Sequence, residues 1–112
     1  MKVPMLNRKF TLEAPEQTPD GLGGFLPGWI VLGSLWGELR GISGRDRDDR
    51  AAALSEARFR VTVRAAPAGA SERPIPGQRL VSGTRIFPVL AVYDADPSGR
   101  WLTCYVREEA VR

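Results

Sequence analysis

Glycine and proline recur so often along this chain that turns and loops must take much of its length. There are twelve glycines and nine prolines. That density favours short strands joined by turns over long helices. The runs between the turns carry the period-two pattern of half-buried strands. The cleanest is Phe59 to Arg64, where Phe59, Val61 and Val63 alternate with Arg60, Thr62 and Arg64.

The same pattern recurs elsewhere. Asn7 to Ala14 places Phe10 and Leu12 on one face, and Pro15 with the polar run to Gly24 is expected to end that strand in a wide turn. Phe25 to Leu35 and Leu35 to Ile42 read as strand, with a bend or bulge at Gly33–Ser34. Arg50 to Ala57 suits one or two helical turns, capped by Asp48 or Asp49. A Pro-rich loop over 65–77 precedes a short strand, Gln78 to Val81. Thr84 to Tyr93 is apolar on both faces and hence central, although Pro88 argues for an edge or a bulge. The turn DADPSG joins it to Arg100–Arg107, where Leu102, Cys104 and Val106 share a face. The expected fold is all-β: one domain over residues 1–112, a small antiparallel barrel of six or seven short strands with a charged insert over 43–57. A chain of this size buries roughly 65% of its unfolded surface, enough for one core without staples.

Chemistry is constrained by what is missing. The 112 residues include no histidine, so the commonest general base and metal ligand are absent. Asp94 and Asp96 share a turn and read as turn formers, not as a catalytic pair. Asp46, Asp48 and Asp49 fail the calcium-loop pattern, because arginines interrupt them and no glutamate stands at the twelfth position. DGLGG, Asp20 to Gly24, lacks the lysine of a phosphate loop and reads as a turn. The expectation is no enzyme, no cofactor and no metal. Cys104 is the only cysteine, so no intrachain disulfide forms, and its place in the strand makes it a small buried hydrophobe. No apolar run reaches the ~20 residues of a membrane span, and the N-terminus lacks a signal-peptide core, which points to an intracellular, soluble product.

The cations are fourteen arginines and two lysines against a net charge of +3. Arginine suits protein interfaces and nucleic acid alike, while a GC-rich genome accounts for the same bias. Trp36 and Trp101 sit in periodic strand contexts that favour burial; Trp29 is open. Tryptophans on one exposed basic face would instead suit an OB- or SH3-like module for single-stranded nucleic acid. The stretch Ser43, Gly44, Arg45, Asp46, Arg47, Asp48, Asp49, Arg50 balances three arginines against three aspartates. A nucleic-acid patch is net basic, so this zero-sum run reads as a solvated excursion.

The order LNRKFTLEAP, PDGLGG, Trp29, LWGELR with Ser43–Gly44, a charged insert, FRVTVR, GQRLVSGTRIFPVLAV and LTCYVREE resembles the phage head–tail joining family. These head-closure or stopper proteins occur in long-tailed phages, prophages and gene transfer agents. The resemblance implies a small β-barrel working as a ring of six or twelve copies. The ring would lie between the portal with its adaptor and the tail terminator or tail tube, in the virion at the head–tail interface, after a period in the host cytoplasm. DNA would pass through without sequence-specific binding. The insert, Ser43 to Ala57, would face the channel, with Ser43 to Arg50 as its gating part. A ring needs head-to-tail contacts, for which Arg60, Arg64 and Arg107 facing Glu13, Glu38, Glu108 or Glu109 of a neighbour are the candidates.

Overall fold

The computed structural model describes residues 3–42 and 57–109. Six strands form one antiparallel sheet: β1 (Arg8–Pro19), β2 (Phe25–Gly41), β3 (Arg58–Arg64), β4 (Arg79–Ser82), β5 (Arg85–Asp94) and β6 (Trp101–Arg107). The sheet closes on itself in the order β1-β2-β3-β6-β5-β4. Closure removes open edges from the body. The charged stretch Ser43–Arg50 and, but for Ala57, the helical turns expected over Arg50–Ala57 lie outside the described residues.

Alternation along each strand fills the interior. Phe10 and Leu12, Val61 and Val63, Leu80, Phe87 and Val89, and Leu102, Cys104 and Val106 form the buried core. Leu32, Leu35, Leu39, Phe59 and Val92 pack against it. Cys104 is fully buried, as its apolar neighbours imply, and burial pushes its thiol up to about 12. Such a thiol is chemically quiet.

Close packing leaves Gly37 no room for a side chain. A Cβ there would meet the Thr62 carbonyl oxygen at 3.0 Å and both Phe10 Cε2 and Val61 Cγ1 at 3.1 Å. Gly37→Ala is therefore expected to cost about 1–3 kcal/mol by overpacking, read as a lowered denaturation midpoint. An unchanged midpoint would mean that β2 and β3 separate freely at this crossing.

Two expectations about strand limits need correction. β1 does not stop at Ala14, and Pro15 does not open a wide turn; pairing with β2 continues to Pro19↔Phe25. β2 runs unbroken for 17 residues. The irregularity beside Gly33 is a bulge: Leu12 pairs with Gly33 and Glu13 with Val31, which leaves Leu32 extra. A second register shift, between Val89 and Ala91, follows Pro88 on β5, which lies between β4 and β6.

The prolines are tolerated because of where they fall in the ladder. The Asp20 N–H donates to the Gly24 carbonyl at 3.0 Å, so this pair is a bonded one. Alternation then makes Pro19↔Phe25, Gln17↔Pro27 and Pro15↔Trp29 non-bonded pairs, whose amides point away from the hairpin. Pro15, Pro19 and Pro27 thus lose no ladder bond. They also strip donors from both outer edges, which blocks another strand from adding there. Asp20 closes the tip: its Oδ1 accepts from the N–H of Leu22 (2.7 Å) and of Gly24 (3.0 Å). Gly21 (φ 82°) and Gly23 (φ 88°) supply the left-handed backbone the turn needs.

Candidate functional site

β4 covers β1 only from Thr11 to Glu13, and β3 covers β2 only from Gly37 to Gly41. Beyond those limits the β1–β2 hairpin leaves the barrel as a two-stranded arm. Its apolar side chains have no layer to pack on. Leu22 is 91% exposed, Val31 65%, Phe25 61% and Leu26 58%, with Trp29 and Ile30 exposed as well. A folded chain rarely exposes so many large apolar groups along one hairpin unless something covers them. The arm's root is clamped. Arg79 Nε donates to Glu13 Oε1 at 2.6 Å, and its guanidinium lies 4.0 Å from the centre of the Trp29 ring. From Glu13 to the end of the arm the acids are Glu13, Glu16 and Asp20, and no lysine or arginine stands between Lys9 and Arg40.

A second surface is the outer face of β2, β3 and β6. Register places Arg40 opposite Arg60, Arg60 opposite Tyr105, Arg58 opposite Arg107 and Arg64 opposite Trp101. Arg58 lies over the Tyr105 ring (5.8 Å) and Arg64 over Trp101 (5.4 Å). Among the residues that these strands turn outward within the barrel, Glu38 is the one acid; it accepts from the Met5 N–H (2.9 Å) and Arg40 Nε (3.0 Å). Trp36 is on this outer side, opposite Lys9 and 55% exposed, against the expectation that it is buried. The inward places of β2 fall to Leu35, Gly37 and Leu39, and the period of two leaves Trp36 outside. Trp101 is half-buried beneath Arg64.

The arginines named from sequence therefore share a face, while of the acids named with them only Glu38 joins it. Glu13 is held by Arg79. Glu108 is held in a two-pronged bond by Arg85 (2.8 and 3.0 Å). Glu109, half-buried, donates its backbone N–H to the Ile86 carbonyl. Ser43 to Arg50 lie outside the described residues. Asp96 behaves as the turn former expected: its Oδ1 accepts from the N–H of Arg100 (3.0 Å) and Trp101 (3.1 Å), and Ser98 donates to Oδ2. These bonds hold its carboxyl below the usual range, the Ser98 hydroxyl most strongly. Asp94, expected beside it as a turn former, is instead the exposed last residue of β5, paired with Leu102. Among the described residues no three of His, Cys, Asp and Glu gather as a metal site.

The Arg85–Glu108 bond has a pH signature. The hydrogen bond from Arg85 depresses the Glu108 carboxyl from its ordinary 4.5. A depressed folded value means stability present above the unfolded value and lost as pH falls through the folded one. Glu108→Gln is expected to cost about 0.5–1 kcal/mol at neutral pH, since the pair is partly solvated. The gap from the parent chain should shrink as pH drops below 4.5. A gap independent of pH would assign the loss to packing instead.

The arm is not expected from the sequence, because Pro15 and the polar run after it read as the end of the first strand. The signal was available in the spacing of the prolines: Pro15 and Pro19 are even-spaced, and Pro27 faces the residue between them.

Comparisons with known proteins agree with this geometry. The family model of the phage head completion protein matches residues 1–109. A chain from the virion of a native gene transfer agent particle is 40% identical, with a TM-score of 0.78 over 98% of this chain and 100% of that one. The solution structure of protein SF1141 from Shigella flexneri 2a, 20% identical, shares the fold with a TM-score of 0.75 over 100% of both chains. No curated protein matches. With a matched model spanning nearly every residue, the chain belongs to the phage head completion protein family, a structural family and not an enzymatic one.

Proposed function

We propose that this protein completes the head of a phage or gene transfer agent particle as a ring between the portal with its adaptor and the tail. The observation that carries the reading is the uncovered hairpin arm: a closed barrel has no use for it alone, and a neighbour in an assembly does. The likeness to a chain of a gene transfer agent virion supports the setting. In this reading the segment Ser43 to Ala57, between β2 and β3, faces the channel. Its interleaved Arg and Asp keep the lumen near neutral, so that DNA phosphates slide past without being gripped.

Particles made without this chain are expected to accumulate as DNA-containing heads without tails, and an electron-microscopy map of complete particles should show the barrel as a ring at the neck. Tailed, infectious particles lacking the chain would overturn the reading. Replacing Asp46, Asp48 and Asp49 with asparagine should leave assembly intact but slow DNA ejection, because the lumen loses three negative charges per copy and its arginines are left unbalanced. Ejection at the parent rate would remove the segment from the channel.

A second reading draws on one observation. Arg64 and Trp101, Arg58 and Tyr105 pair cation with ring on a single outer face, a surface suited to stacked bases. It predicts salt-dependent quenching of tryptophan fluorescence by single-stranded DNA; unchanged fluorescence would discard it.

A further inference from the structure

The arm and the arginine face are complementary, and one chain cannot bring its own two together. Leu26 near the arm's tip and Arg40 on the face lie on the same strand, β2. Fourteen residues of strand separate them, on the order of 45 Å. Beyond Glu13 the arm holds Glu16 and Asp20 and no cation, along with exposed Leu22, Phe25 and Leu26. The face holds Arg40, Arg58, Arg60, Arg64 and Arg107 against Glu38, with Tyr105 and Trp101 as apolar floor.

The geometry points to a second copy of this chain as the arm's partner: the hairpin tip lies across the outer face of β2, β3 and β6 of the next subunit. This rests on the ring reading above and specifies how the ring is joined. Acidic groups meet arginines, apolar tip residues cover the Tyr105 and Trp101 rings, and the prolines keep the arm from adding as a strand to a neighbour's sheet. Arm and face are different patches, so the contact is heterologous and repeats from copy to copy until rotation closes it. Nucleic acid is the rival occupant of the face. The arm favours protein, because DNA would leave the exposed tip uncovered.

Leu22→Cys and Arg60→Cys, placed in one chain, should form an intersubunit disulfide in purified particles under mild oxidation, giving a ladder of linked copies. Cys104 is fully buried and will not compete. Glu16→Arg and Arg60→Glu should each lower the copies retained per particle by roughly tenfold, and the two together should restore them. Both sites are exposed, so thermal midpoints should hold, which separates lost docking from lost folding. Particles that carry the chain at the neck but show no disulfide between the Leu22→Cys and Arg60→Cys positions would overturn this contact while leaving the head-completion role intact. The same holds if the arm links to a different protein, or if Arg60→Glu costs DNA binding and no copies. Absence of the chain from particles would defeat the ring reading itself, and this contact with it.

Discussion

Replacing Phe87 with alanine will take about 3–5 kcal/mol from the stability of the barrel. Phe87 is fully buried on β5, and its ring meets two others edge to face: Phe10 of β1 (centroids 6.0 Å apart, 75°) and Phe59 of β3 (5.6 Å, 83°). Those strands are not neighbours in the sheet, so one ring ties together three parts of the barrel wall across the interior. The Arg85 guanidinium, at the start of β5 and on the same side as Phe87, closes the cluster at its end, 5.1 Å from the Phe87 centroid and 5.6 Å from that of Phe59. Truncation removes the transfer energy of the ring and both edge contacts, and it leaves a cavity that a closed sheet cannot collapse to fill. Domains of this kind have about 5–15 kcal/mol in hand, so a chemical-denaturation curve will shift far or the chain will not fold. Phe87→Leu keeps part of the contact and should fall between. A loss below 1 kcal/mol for the alanine variant would mean that the aromatic cluster is not the centre of the core.

That core was readable from the alternation of Phe59, Val61 and Val63 and of Leu102, Cys104 and Val106, because strand periodicity is a local property and these runs pack as their pattern says. Closure of the sheet was legible as a class, from short strands and frequent turns. The pairing that joins β1 to β4 over Thr11 to Glu13 is a long-range fact without a local signature. Trp36 shows the limit of arguing from residue type. A large aromatic in a strand suggests burial, yet its phase relative to Leu35 and Gly37 put it outside. The arm shows the limit of arguing from breakers. Proline excludes a strand only where the ladder needs its amide, and parity, fixed by the turn at Asp20 and Gly24, decides that. The arginines were visible as composition; their gathering on one face appeared only once β2, β3 and β6 were known to be neighbours.

Serine in place of Leu22, Phe25 and Leu26 together should abolish incorporation into particles and leave the folded chain almost untouched. The two effects separate because these side chains are already in water: Leu22 is 91% exposed, Phe25 61% and Leu26 58%. Substitutions at such positions usually move stability by no more than about 0.5 kcal/mol each. The turn itself survives, since Asp20 holds it through backbone N–H groups and not through the apolar side chains. What the variant loses is the apolar area a partner would bury, worth roughly 25 cal/mol for each Å² withdrawn from water. Tip residues of an arm tend to sit in a partner's pocket, where few side chains carry most of the energy. Thermal melts and a count of chain copies in purified particles read the two effects independently. A folded, parent-like variant that still enters particles in full number would show that the arm is not what binds this protein into them. A variant that melts early would show that its apolar tip packs on its own barrel, and the arm as described would then be wrong.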